Sequence, residues 1–180
     1  MVFIFGLDGI PRNRNREVFN VVFGGRESIA PFVASPLTVV RKMLEYADLK
    51  PGETLYDLGS GDGRIVVMAA HEFGAKAVGI ELNKRLISEA VRKGEALNLG
   101  DQAEFINDNI FDVDISSADV VTMYLTTGAN EKLRPKLEKE LKPGARVVTH
   151  DFSIPGWEYT KNLKFKEDYR HHTIYLYQLE

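Results

Sequence analysis

Hydrophobic and polar positions along the chain change period several times, and the changes divide it into alternating strands and helices. After Ser35-Pro36, residues Val39, Val40, Met43, Leu44 and Ala47 recur at three- and four-residue spacing, the stripe of a helix with one face on a core. Ser35 is expected as its N-cap and Pro36 as its first residue, and Lys50-Pro51-Gly52 ends the segment. Glu53 to Tyr56 predicts a short buried strand, and Ile65 to Ala70 a buried helix that runs to Phe73 and stops at a C′ glycine, Gly74. Strands over Lys76–Ile80, Ala103–Ile106, Ala118–Tyr124 and Arg146–Thr149 alternate with helices over Asn83–Leu97 and Glu131–Leu141. That rhythm is α/β: βαβ units, a mostly parallel sheet and helices on both faces. Leu163–Tyr169 and Thr173–Leu179 break it by alternating apolar and polar residues around Arg170-His171-His172, which predicts an antiparallel hairpin closing one sheet edge.

Residues 1 to 30 are less regular and are expected to form an N-terminal extension to a domain over residues 31–180. Val2–Phe5 and Val18–Phe23 suggest two short strands around a basic stretch, Arg12-Asn-Arg-Asn-Arg16, whose default reading is a solvated loop.

Size and charge narrow the classes. One domain with a full core suits 180 residues. A net charge of −3 argues against a dedicated nucleic-acid binder. The absence of cysteine removes disulfides, thiolate metal sites and cysteine nucleophiles. No apolar run approaches the roughly 20 residues of a membrane span, and Met1–Phe5 is too short for a signal sequence. A cytoplasmic protein without membrane insertion is the expectation.

The candidate chemistry centres on Asp57-Leu58-Gly59-Ser60-Gly61-Asp62-Gly63-Arg64, a glycine-rich turn between strand and helix. Such a turn lets backbone approach a ligand closely. The dinucleotide fingerprint would place its last glycine where Arg64 stands. Asp57 and Asp62 also flank the glycines, where a pyrophosphate would meet like charge. A ligand with a cationic end and no phosphate fits better, and S-adenosylmethionine carries both an ammonium and a sulfonium. The plainer alternative makes Asp62 a helix cap and the glycines a simple turn.

Parallel sheets bind ligands beyond the carboxyl ends of their strands. Glu81 ends the second strand, 20 positions after Gly61, and suits both ribose hydroxyls. Asp108, after the third strand, is placed to accept from an adenine amino group, with the Asn109 backbone N–H near a ring nitrogen. Helix capping and turn formation are the structural alternatives for these acids. The fourth strand ends at Tyr124, where the transferred methyl would sit. No Asp/Asn-Pro-Pro-aromatic turn follows, and no acid stands there to build a magnesium site. Tyr124 offers an aromatic wall and a hydroxyl that could guide an amine, or it is a core tyrosine. His150-Asp151 is a candidate base pair that is more often structural, and His171 and His172, read as turn residues, lack ligand partners at useful spacing. No metal is expected.

From Pro31 to Tyr177, about four-fifths of its length, the chain resembles the small seven-strand protein-lysine methyltransferases, which include broad-specificity archaeal enzymes and mitochondrial relatives acting on membrane-protein complexes. The resemblance is carried by Pro31-Phe-Val-Ala-Ser-Pro36 and by Tyr56-Asp-Leu-Gly-Ser-Gly-Asp-Gly-Arg64-Ile. It continues in Asp119-Val-Val-Thr-Met-Tyr124-Leu, Leu133-Arg-Pro-Lys-Leu-Glu-Lys-Glu-Leu-Lys-Pro-Gly144 and Arg146-Val-Val-Thr-His-Asp-Phe152. It implies a Rossmann-like seven-stranded sheet with a reversed last strand, and methylation of accessible lysines on protein substrates. A monomer is expected, though not from the resemblance. Pro31 to Ser35 would lie over the cofactor, with Phe32 near the transfer channel. Ala34 replaces a proline usual in the family, and its archaeal members begin near Pro31. A methyltransferase acting on a small molecule or RNA shares the cofactor loops and stands as the alternative. A nonenzymatic cofactor-binding or scaffold protein is a third reading.

Overall fold

The computed structural model describes residues 30, 32–167 and 169–180; the predicted strands at Val2–Phe5 and Val18–Phe23 and the basic stretch lie outside them. The first helix, α1, spans Leu37–Tyr46 and buries Val39, Val40, Met43 and Leu44, the stripe predicted from spacing. Its N-cap is Pro36 rather than Ser35, and no side chain caps it. The Ser35 hydroxyl is turned into the interior instead.

The βα alternation then follows: β1 (Thr54–Leu58), α2 (Arg64–Phe73), β2 (Lys76–Ile80), α3 (Lys84–Ala96), a 3₁₀ turn (Gly100–Gln102), β3 (Ala103–Ile106), β4 (Val120–Met123), α4 (Thr127–Glu140) and β5 (Arg146–His150). Gly74 takes the left-handed conformation that ends α2, as predicted. The fourth helix starts four residues earlier than the periodicity suggested, because the Thr126 side chain accepts from the Ala129 N–H and caps it. The last two strands are β6 (Lys161–Glu167) and β7 (Arg170–Gln178). Arg170, His171 and His172 therefore belong to β7 and are not turn residues. The period-two pattern running back from Leu176 and Ile174 puts His172 on the buried side.

The seven strands lie in the order β3-β2-β1-β4-β5-β7-β6. Strands β1 to β5 pair in parallel, and β7 alone is reversed, inserted antiparallel between β5 and β6. One apolar cluster joins α1 and α2 to one face of the sheet, and a second joins α4 to the other. The chain moves outward from β1 through β2 to β3, then returns to place β4 on the opposite side of β1. That reversal opens a crevice beyond the ends of β1 and β4, the place where open α/β sheets receive ligands. No helix among the described residues is long and apolar enough to cross a membrane.

Candidate active site

The floor of the crevice is the turn from β1 into α2. Gly61 has φ +55°, and a Cβ built there would stand 2.3 Å from the Phe32 ring, so the bare backbone lets the aromatic side chain lie on the loop. Gly63, with φ +77°, is closed in by Ala90 and Phe105 and lets α2 start tight against α3. Glu81 ties the loop to the end of β2. Its Oε2 accepts the Gly61 N–H at 3.0 Å and its Oε1 accepts the Asn83 N–H at 2.8 Å. The Gly59 and Ser60 N–H groups both reach the Ile80 carbonyl. The Ser60 hydroxyl is buried with no hydrogen-bond partner among the described residues, an orphaned polar atom of the kind a ligand satisfies.

Asp57 is buried at the end of β1 and accepts from Thr122 Oγ1 at 2.8 Å. Burial pushes its carboxyl up to about 7 against the pull of that hydrogen bond, and the charges of Glu81 and Asp62 push the same way. A cationic group placed nearby would restore the ionised form. Orphaned hydroxyl, poised carboxyl, Glu81 and a cradle that a Cβ would fill together fit the ammonium-bearing cofactor inferred from sequence.

Two sequence candidates sit differently. Asp62 is a sparsely exposed carboxylate gripped by Arg64, at 2.8 and 2.7 Å, and by Lys93. Burial alone would raise it, but the hydrogen bonds and charges of these cations outweigh that and hold it at about 2. Its negative charge is thus neutralised within the protein, and α2 is capped by Gly63 instead. Arg64 also donates to the Ser35 carbonyl at 2.6 Å, which ties the segment before α1 to the glycine loop. At the end of β3, Asp108 accepts the Asn109 N–H at 2.7 Å, so the N–H expected near an adenine nitrogen is engaged within the turn. Asn109 in turn accepts the Phe111 N–H. Asn107, not singled out from the sequence, spans back to the Glu81 and Leu82 carbonyls and braces the β2 end.

The other wall rises from β4 and β5. Tyr124 is half-buried, its ring 4.0 Å from that of His150 and stacked on Phe152 at 6.3 Å. Arg170 Nη2 donates to the Tyr124 hydroxyl at 2.9 Å and to Asp151 Oδ2 at 3.1 Å. Beneath the tyrosine, buried His150 meets Ser35 Oγ at 3.0 Å through Nδ1 and His172 Nδ1 at 2.9 Å through Nε2. Burial lowers His150 to about 4, with opposing help from Asp151, so it is neutral near physiological pH. His172, expected in a turn without ligand partners at useful spacing, lies instead on the inward face of β7, where its Nδ1 meets His150. Arg170 escaped notice because a cation between two strand patterns reads as an ordinary hairpin charge.

Comparison with known proteins decides the family. Residues 57–161 match the ANTKMT methyltransferase domain family. The chain is also 49% identical over 148 residues to a protein-lysine N-methyltransferase of Saccharolobus islandicus, covering 82% of this chain and 92% of that protein. It belongs to the ANTKMT methyltransferase domain family. The adenine nucleotide translocase lysine N-methyltransferase of Mus musculus is 33% identical over 129 residues, and the match spans 71% of this chain but only 56% of that protein. A solved structure named as an RNA methyltransferase of Salinibacter ruber, in complex with S-adenosyl-L-homocysteine, superposes with a TM-score of 0.78 at 41% identity, covering 82% of this chain and 94% of that one. This member of the ANTKMT family is accordingly an S-adenosylmethionine-dependent methyltransferase with the Rossmann-like seven-stranded fold expected from the sequence.

Proposed function

We propose that the enzyme methylates lysine side chains of proteins. Bound S-adenosylmethionine supplies an electrophilic methyl group on its sulfonium. On this reading Asp57 takes the cofactor's ammonium, Glu81 its ribose and the exposed Asp108 its adenine edge. Gly59 to Gly63 give the backbone floor, while Phe32 and Ser35 hold the segment that covers it.

The observation that carries the acceptor side is the Tyr124 hydroxyl fixed by Arg170 at the end of β4. A lysine arrives as an ammonium, with a reference pKa of about 10.4, and an ammonium has no lone pair to give. The tyrosine ring forms an apolar wall that disfavours the charged form, and the Arg170 cation behind it adds like-charge repulsion. Arg170 engages one lone pair of the Tyr124 oxygen, and the other is left to accept an N–H of the neutral amine, so that the amine's own lone pair stays directed at the methyl group. The near full-length similarity to a protein-lysine N-methyltransferase supports the same acceptor. The enzyme acts as a monomer in the cytoplasm on this account.

The name of the Salinibacter structure favours a second reading, RNA as acceptor. A net charge of −3 weighs against it. Incubation with methyl-labelled cofactor and separate sets of proteins, lysine peptides and RNAs tests both. Label in protein and peptide supports lysine methylation, and label confined to RNA supports the second reading.

A further inference from the structure

Behind the Tyr124 wall, three side chains from two neighbouring strands converge on one point. His150 ends β5, Asp151 follows it, and His172 faces inward from β7. His150 Nε2 lies 2.9 Å from His172 Nδ1 and 3.4 Å from Asp151 Oδ2, and the last two atoms are 3.9 Å apart. A point equidistant from three atoms with these separations lies about 2.0 Å from each, the length of zinc bonds to imidazole nitrogen and carboxylate oxygen. We propose that His150, Asp151 and His172 bind a divalent transition-metal ion of the zinc class.

The surroundings match what such a site needs. A ligating imidazole ordinarily gives its other nitrogen to an oxygen that fixes the ring. His150 Nδ1 faces Ser35 Oγ at 3.0 Å, buried in the interior. A ligating carboxylate is ordinarily hydrogen-bonded through its second oxygen. Asp151 Oδ1 accepts the Thr173 N–H at 2.9 Å, which leaves Oδ2 toward the two imidazoles. Asp151 adopts φ 60°, a left-handed conformation uncommon for a residue with a side chain. That turn folds its carboxylate back onto the imidazole of the preceding residue.

Two imidazoles and one carboxylate suit zinc, cobalt, nickel or iron, whereas magnesium prefers an all-oxygen shell. Arg170 is its built-in competitor, since Nη2 occupies Asp151 Oδ2 at 3.1 Å. Its side chain is 56% exposed, so it can leave that oxygen when a metal arrives. Through the ring contact between His150 and Tyr124, and through Ser35, an ion here would brace both the acceptor wall and the segment before α1. The proposal does not depend on which acceptor is methylated.

The test is titration of the chelator-treated full chain with zinc by calorimetry and with cobalt(II) by visible absorption. One equivalent is expected to bind, with cobalt bands of a low-coordinate nitrogen and oxygen site. Asp151→Asn and His172→Ala should each weaken zinc binding by about tenfold or more. Arg170→Ala should tighten it, and His171→Ala, at the exposed neighbour, should leave it unchanged. Thermal unfolding of every variant is recorded beside the titration, and Asp151→Asn alone carries the test if His172→Ala does not fold. Absence of saturable binding, or binding that ignores Asp151→Asn or follows His171 instead, overturns the site and leaves the three residues as a hydrogen-bonded brace.

Discussion

Asp57 and Thr122 face each other in register across the β1–β4 junction, the threonine hydroxyl donating to the carboxylate at 2.8 Å with both side chains buried. One hydrogen bond is too little to keep a buried charge ionised, and the carboxyl rises to about 7. A ligand ammonium would pull it back down, so binding would release a proton in the pH range between that lowered value and about 7.

Cofactor affinity is therefore expected to rise with pH, by up to about tenfold per unit between pH 5 and 7. It should level off above the Asp57 titration and decline once an α-amino group, with a reference pKa of about 8, loses its proton. Asp57→Asn should bind more weakly and lose the rise below pH 7. Calorimetry of S-adenosylmethionine binding across this range is the check, and an unchanged slope in the variant would remove Asp57 from the site.

Glu81 serves the loop and the proposed ribose contact at once. Glu81→Ala should cost about 1.5–3 kcal/mol of cofactor binding, as for other hydrogen bonds to a charged group. Hydrogen exchange should also show the Gly61 and Asn83 amides losing protection, since both donate to this carboxylate.

The fold was legible because its strands are short, buried and separated by glycine or capping residues. The Lys76–Ile80 and Ala103–Ile106 strands lie where the pattern puts them. Lys142-Pro-Gly144 turns the chain into β5 on the same principle. Sequence reading was weaker wherever a polar residue had a distant partner. Ser35 has the chemistry of a local cap, but His150, 115 positions away, claims its hydroxyl. Asp62 carries no sign of Lys93, which reaches it from α3 only after the helices pack. Thr122 looks like any β-branched strand residue until the β1–β4 register sets it opposite Asp57. His172 was readable in principle, since it keeps the inward phase of Ile174 and Leu176.

Gly63→Ala should destabilise the protein without touching the cofactor-facing side chains. The new Cβ would stand 2.6 Å from the Ala90 Cβ and 2.7 Å from Phe105, at a φ that disfavours any side chain. A loss of about 1–3 kcal/mol is expected, read as a lower midpoint in denaturant unfolding.

The Asp62 ion pairs should make stability acid-sensitive. A carboxyl held at about 2 in the folded chain stabilises it fully above the unfolded value near 4, and that contribution fades as pH falls toward 2. Denaturation midpoints at pH 4 and pH 2.5 should converge in Asp62→Asn relative to the parent chain. Equal acid sensitivity in both would show that the pairs with Arg64 and Lys93 contribute nothing.

Mass spectrometry of protein substrates after reaction with S-adenosylmethionine tests the central claim most directly. The expected products carry added methyl groups on lysine side chains, formed faster as pH rises above neutral and more slowly, by a modest factor, in Tyr124→Phe. Lysines left unmodified while label accumulates on RNA or on carboxylates would contradict the account.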